Sequence, residues 1–329
     1  MKAIVTGGLG FIGSHLSSKL IQNGYHISII DCQTYAHDKK MKQFLSKNKN
    51  VSIYNVDIRN FNQLSSVINK VEPDVLFHLA AETHVDNSID NPDDFITTNI
   101  IGTYNILKAC KFYYESSNVK NNFKIISIST DEVFGECIND EKFNEFSSYN
   151  PRSPYSASKA SADHLAKSYF HTYGLPVILT HSSNNFGPNQ NVEKLIPKVI
   201  NSFMNKIRVP IYGNGKNIRD WIYVEDHVDA LITISKSAKP NDRILIGADN
   251  PLSNIELINK IFKIYKKLFN TNFNLEFDQV IKFVDDRKGH DFCYKINNSK
   301  LINNFNWYPK YNFEKGIENT INWYVNKNI

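Results

Sequence analysis

Cysteine is scarce: Cys32, Cys110, Cys137 and Cys293 are the only four in 329 residues, and they form no C-x-x-C pair and no metal-ligand spacing with the histidines. This excludes a disulfide framework and a structural metal site, and leaves free thiols, as expected in the cytoplasm. A long hydrophobic run is also lacking. Met1-Lys2-Ala3-Ile4-Val5-Thr6 meets glycine at once, without the apolar core of a signal peptide, and no later run is long enough to span a bilayer. No membrane and no metal are therefore expected. Neither sign of charge dominates: 38 Lys+Arg against 33 Asp+Glu leave a net +5, scattered in pairs such as Lys39-Lys40 and Lys266-Lys267. Such pairs read as solvated surface, not as a nucleic-acid patch. There is no internal repeat and no Pro- or Ser-rich linker, so any two lobes should share an interface. With 41% hydrophobic and 22% charged residues, general disorder is excluded as well.

What is present is an alternation of short apolar runs with amphipathic stretches. Strands are expected at Ala3–Thr6, His26–Ile30, Val51–Val56, Val75–Leu79, Lys124–Ser129 and Val177–Thr180, with helices such as Phe11–Gln22 and Phe61–Lys70 between them. That order predicts an α/β fold, a doubly wound parallel sheet with helices on both faces. After about residue 185 the pattern loosens around Pro188, Pro197, Pro210, Gly213-Asn214-Gly215 and Pro240. The division expected is 1–185 for a Rossmann-type domain and 186–329 for a smaller lobe, with some segments returning to the first. A cleft between the two is the natural ligand site.

Thr6-Gly7-Gly8-Leu9-Gly10-Phe11-Ile12-Gly13 joins the first strand to the first helix. Glycine is needed there for a tight turn, for close approach of backbone to a pyrophosphate and for packing helix against strand, and the helix N-terminus adds N–H donors. Gly7, Gly10, Phe11, Ile12 and Gly13 are thus candidate dinucleotide contacts. Asp31 ends the second strand, where a carboxylate accepts both ribose hydroxyls and repels a 2′-phosphate, which favours NAD over NADP. Asp57-Ile58 and Leu79-Ala80-Ala81 end the third and fourth strands, where the adenine and nicotinamide halves would rest. Asp57 reads equally well as a helix cap.

The chemistry centres on Thr130-Asp131-Glu132, at the end of the fifth strand, and on Tyr155-Ser156-Ala157-Ser158-Lys159. Tyr155 and Lys159 are spaced i, i+4 and share a helix face, with Pro154 suited to the helix start. A free tyrosine titrates near 10 and is a poor base at neutral pH. A lysine ammonium about 5 Å away would stabilise its phenolate by roughly 3 kcal/mol at an effective dielectric near 20. Tyr155 could then take a hydroxyl proton as hydride leaves the same carbon. The two adjacent carboxylates offer a second proton chemistry, elimination of water. For that they must hold opposite protonation states, and mutual repulsion with partial burial would keep Asp131 protonated while Glu132 stays ionised.

Taken with Leu79-Ala80-Ala81-Glu82-Thr83-His84-Val85-Asp86, Ser129-Thr130-Asp131-Glu132-Val133-Phe134-Gly135, Ser153-Pro154-Tyr155-Ser156-Ala157-Ser158-Lys159-Ala160, Ser183-Asn184-Asn185-Phe186-Gly187-Pro188, the run from Ile218 to His227 and Asp286-Arg287-Lys288-Gly289-His290, the chain resembles the extended short-chain dehydrogenase/reductase superfamily. Within it, the chain is similar to nucleotide-sugar 4,6-dehydratases of the dTDP-glucose type, over nearly its whole length. The Thr-Asp-Glu signature is the most specific element.

The resemblance implies dehydration of dTDP-glucose or UDP-glucose to the 4-keto-6-deoxy sugar nucleotide, with hydride passing from C4 to C6 through NAD. Tyr155 would deprotonate the C4 hydroxyl, Glu132 the C5 carbon, and Asp131 would protonate the departing C6 hydroxyl. It further implies cofactor contacts at Cys32, Thr34, Thr98 and Asn185. Substrate contacts are implied at Thr83, Thr130, Asn184, Lys194, Leu195, Pro210, Ile211, Tyr212, Arg219, Asn254, Asp286, Arg287 and His290. Arg219 and Arg287 would fork onto the diphosphate. Phe134 and Phe186 stand where tyrosines are common, and Lys288 where proline is common, beside the nucleotide pocket. A 4-epimerase would use the same Tyr155 and Lys159 but has no need of Asp131-Glu132, and a non-catalytic dinucleotide sensor would usually have lost the tyrosine or lysine. A homodimer is implied, built on the helices around Ile100–Tyr114 and Ser156–Tyr173.

Overall fold

The computed structural model describes residues 1–34, 37–116, 123–138, 141–269, 275–286 and 289–327. In chain order the strands are β1 (Lys2–Thr6), β2 (His26–Ile30), β3 (Val51–Tyr54), β4 (Val75–His78), β5 (Lys124–Thr130), β6 (Val177–Ser182), β7 (Asn184–Phe186), β8 (Val209–Tyr212), β9 (Ile218–Tyr223), β10 (Arg243–Ile246), β11 (Pro251–Ser253) and β12 (Ile281–Val284). Seven of them make one sheet in the order β10-β6-β5-β4-β1-β2-β3, parallel throughout. Both faces are covered, so β4 and β6 are buried at every position, as parallel strands between two helical layers should be. Side chains alternate between the layers. Ala3, Val5, Ile27, Ile29 and Phe77 pack toward Leu16, Leu20 and Val228, whereas Ile4, Ile30 and Leu76 pack toward Leu64, Ile68 and Ile106. The chain thus has the α/β, doubly wound Rossmann architecture. Strand order reverses between β1 and β4, and a ligand crevice opens at the carboxyl ends there.

The second core gathers Ile196, Val199, Ile200, Phe203, Ile211, Leu257, Ile261, Phe262, Ile317 and Ile321 around two small sheets, β11-β9-β7 and β12-β8. The return to the first core is extensive: β10, the helix Val224–Ser237 and Leu301 all pack against the central sheet. Phe134 and Phe186, which lack the hydroxyl of a tyrosine, are buried. Phe134 lies against Phe143, Tyr149 and His181, and Phe186 against Tyr223 and Phe313. Among the described residues no helix is long and apolar enough to cross a membrane.

Candidate active site

The carboxyl ends of β1, β2, β4, β5 and β6 border a cavity of about 740 Å³. On one side lies the glycine turn. Gly7 has a left-handed φ of +66°, and a Cβ there would come within 2.9 Å of the Ala80 backbone; at Gly13 it would lie 2.1 Å from the Gly7 carbonyl oxygen. Only glycine permits this approach of turn, helix and neighbouring strand. The Asp31 carboxylate accepts the Leu9 N–H at 3.0 Å and the Gln33 N–H at 2.8 Å, so it is fixed at the cavity wall by its own loop and by the glycine turn.

Asp57 does not cap the following helix. Asn60 does so, accepting from the Gln63 N–H, while Asp57 accepts from Arg59 Nη2 at 2.6 Å and Nε at 2.9 Å. Burial raises the Asp57 carboxyl, but the Arg59 hydrogen bonds outweigh it and leave the group below its ordinary value. Arg59 lines the cavity, and the sequence reading missed it although it lies only two residues beyond Asp57.

On the other side lies the catalytic cluster. Ser153 caps the helix Pro154–Tyr173 in a reciprocal pair with Ser156, with Pro154 in its first turn. Tyr155 and Lys159 are thereby carried to the end of β5, 8% and 6% exposed. Burial pushes Tyr155 up, and the Glu132 charge pushes it further, against a hydrogen bond with Thr130. Lys159 Nζ donates to the Ile128 carbonyl at 2.8 Å, and burial pushes it down. Burial thus disfavours the charged form of each group.

Asp131 is 1% exposed, and its carboxyl lies well above the carboxylate range through burial first and then the charges of Glu132 and Asp220. Thr130 donates to Asp131 Oδ1 at 3.2 Å and accepts from the Glu132 N–H at 3.3 Å. Asp131 therefore fits a proton donor, set next to a half-buried carboxylate at Glu132.

Gly7, Gly10, Phe11, Ile12, Gly13, Asp31, Cys32, Thr34, Asp57, Ile58, Leu79, Ala80, Ala81, Thr83, Thr98, Thr130, Asp131, Glu132, Tyr155, Lys159, Asn184, Asn185 and Lys194 all border this one cavity. Leu195, Pro210, Ile211, Tyr212, Arg219, Asn254, Asp286 and His290 do not line it. They sit beyond it in the second lobe, tied together by β8–β12 pairing, the Asn254 N–H to Asn217 carbonyl bond and the His290–Asp286 contact at 2.6 Å. Ile211 is part of that lobe's core. Arg219 is held by its own lobe. Its Nη1 donates to the Ile218 carbonyl at 2.7 Å, its Nη2 to the Asp291 carbonyl at 2.8 Å, and its plane lies 4.2 Å from the Tyr294 ring centroid. Arg287 and Lys288 lie outside the described residues.

A matching family model, described as GDP-mannose 4,6 dehydratase, spans residues 4–320. A dTDP-glucose 4,6-dehydratase of Escherichia coli is 42% identical, covering 99% of this chain and 94% of the relative. The chain belongs to the nucleotide-sugar 4,6-dehydratase family. Among solved 4,6-dehydratases, that of Bacillus anthracis in complex with NAD superposes with a TM-score of 0.87 at 35% identity, covering 99% and 97% of the two chains. DesIV of Streptomyces venezuelae, with NAD and TYD bound, gives 0.90 at 31%, again over 99% and 97%.

Seen as a 4,6-dehydratase, the chain shows further residues that sequence reasoning missed. Phe95 meets the Tyr155 ring edge-on at 6.3 Å. Gln190 and Glu82 line the cavity. Glu82 is raised by burial first and by Asp94 and Glu193 next. Asn99 lies in a π-helical stretch, Ile96–Gly102, a distortion frequent at functional sites. A lone amide among the β-branched residues Ile96-Thr97-Thr98 and Ile100-Ile101 was the sequence signal for it.

Proposed function

We propose that the chain converts dTDP-glucose to its 4-keto-6-deoxy product with NAD as a tightly held cofactor that is regenerated in each turnover. The observation that carries this reading is one cavity holding a glycine turn, a Tyr155–Lys159 pair and a buried Asp131, its carboxyl raised by burial, beside Glu132. The cavity suits the cofactor: the glycine turn brings backbone close, and Asp131 Oδ2, Asn184 Oδ1 and Gln190 Oε1 are buried along the wall without partners among the described residues, as polar atoms awaiting a ligand would be.

Gly7 to Gly13, Asp31, Asp57, Ile58, Leu79 to Ala81, Thr98 and Asn185 would hold NAD, which when bound supplies reversible hydride transfer, from C4 and later to C6. Tyr155 takes the C4 hydroxyl proton. The resulting ketone acidifies C5, and Glu132 takes that proton while Asp131 donates to the C6 oxygen as water leaves; Glu132 then returns the proton to C5 as C6 is reduced. Thr130 and Thr83 would position the sugar, and Lys194, whose Nζ donates to the Thr83 carbonyl at 2.8 Å, closes the wall beside them. The nucleotide would run toward Tyr212, Asn254 and His290. Uracil lacks one methyl of thymine, worth about 1 to 3 kcal/mol in a pocket, so UDP-glucose is expected as a slower substrate.

Incubation of the purified chain with dTDP-glucose, without added NADH, should give the 4-keto-6-deoxy sugar nucleotide. A C4 epimer as the only product would establish the epimerase instead. The free thiols fit a cytoplasmic enzyme. A homodimer fits the stripe of exposed Ile96, Ile101, Tyr104, Phe112 and Tyr173 on neighbouring helices, and sedimentation of the wild type and a Phe112→Glu variant tests it.

A further inference from the structure

Tyr155, Lys159 and Asp163 follow one another at intervals of four on the helix Pro154–Tyr173, so one face carries all three. That face is matched to the end of β5 residue by residue. Thr130 hydrogen-bonds the Tyr155 phenol, the Ile128 carbonyl accepts from Lys159 Nζ at 2.8 Å, and the Ser129 hydroxyl donates to Asp163 Oδ2 at 2.8 Å. Asp163 is 1% exposed. The same Oδ2 accepts from His181 Nε2 at 2.9 Å and from the Tyr149 hydroxyl at 3.3 Å. Three donors converging on one oxygen suit a carboxylate, which only accepts, better than a carboxylic acid, which must also donate.

His181 does not cancel this charge. Its Nδ1 is buried and finds no partner among the described residues, so an imidazolium would bury an unpaired N–H, whereas the Nε2–H tautomer buries only a lone pair. The buried cation on the same face is Lys159. Around that lysine are Tyr155 and Asp163 from its own helix face and His78 from β4; Asp131 and Glu132 of the turn after β5 border the same cavity, and beyond Asp163 lie His181 of β6 and Tyr149 of the preceding loop. Asp131 and Glu132 are committed to the elimination, and His78 is neutral. A buried lysine with no counter-charge tends to lose its proton.

We propose that Asp163 is a positioning residue for the oxidation step: its buried carboxylate keeps the Lys159 ammonium charged beside Tyr155. This rests on the Tyr155–Lys159 reading given above. Burial and Asp163 act on Lys159 in opposite directions, with Asp163 opposing loss of the proton.

Asp163→Asn keeps the shape of the side chain and removes its charge. In single turnovers followed by the absorbance of reduced nicotinamide, the alkaline limb of the pH–rate profile should move down by about one pH unit, a tenfold loss of rate on that limb, with KM unchanged. Asp163→Glu should restore the limb. A profile for Asp163→Asn parallel to the wild type overturns the proposal, whereas wild-type turnover by Tyr155→Phe would instead overturn the reading on which it rests. Folding gives a readout without turnover. Lys159→Met should lower the urea midpoint in the wild type but not on top of Asp163→Asn, because the partner charge is then gone. If Asp163→Asn alone does not fold, the double variant decides. A folded Lys159→Met/Asp163→Asn protein supports compensation of the two charges; an unfolded one leaves Asp163 only its hydrogen bonds to Ser129, Tyr149 and His181, and overturns it.

Discussion

Asn99 and Glu82 are joined twice: the Asn99 side-chain oxygen accepts the Glu82 N–H at 2.9 Å, and its amide donates back to the Glu82 carbonyl at 3.0 Å. The same amide donates to the Ser158 hydroxyl, one residue before Lys159, at 2.9 Å. A single side chain thus ties the loop after β4 to the helix of Tyr155. Asn99 lies within the π-helical stretch Ile96–Gly102, at whose end a Cβ on Gly102 would meet Ile58 at 2.5 Å. Asn99→Ala would strand buried polar groups of Glu82, at about 1 to 3 kcal/mol. Urea unfolding should show that loss, together with a lower kcat.

Asp31 carries a second prediction. Its carboxylate both faces the cavity and holds the Leu9 and Gln33 N–H groups. Asp31→Ala should therefore weaken NAD binding and lose the discrimination against NADP in titration calorimetry. If NAD and NADP affinities both stay at wild-type values, Asp31 is only a turn residue.

The acid side of stability follows from two histidines. His78 bridges Thr6 and Thr103, at 2.9 Å from each, and burial holds it down at about 3, with the Lys159 charge adding to it; burial alone does the same at His227. Both are thus depressed in the folded chain relative to 6.5 in the unfolded one. Their contribution is fully present above pH 6.5 and is lost as pH falls toward 3. His227→Gln should flatten the fall of the urea midpoint across that interval; an unchanged slope would show that other groups govern it.

The central sheet was legible because strands buried on both faces read as continuous apolar runs, and its glycine turn because only glycine tolerates those contacts. β10 was not, since Arg243-Ile244-Leu245-Ile246 is four residues long and its partner β6 lies some sixty residues earlier. Cavity residues adjacent to a motif were legible too. The setting of Arg219 was not: its sequence says guanidinium, but only the fold shows the carbonyls of Ile218 and Asp291 that hold it. The burial of Tyr155 was hidden for a similar reason. Spacing reveals the lysine, whereas the degree of burial, which dominates, depends on packing from Phe95 and β5.

Asp131 yields the most direct test of the elimination. Its carboxyl is raised above the ordinary 3.8, so the folded chain is disfavoured, relative to the unfolded one, as pH rises past that value toward the folded one. Asp131→Asn resembles the protonated acid at every pH. The variant should therefore be more stable than the wild type at pH 8 and gain less at pH 5, where urea midpoints are compared. It cannot donate a proton to the C6 oxygen, so oxidation at C4 should still occur while loss of water falls by about 10² or more. Reduced nicotinamide should then accumulate in single turnovers of the variant and not of the wild type. A variant that eliminates water at the wild-type rate would remove Asp131 from the role of acid.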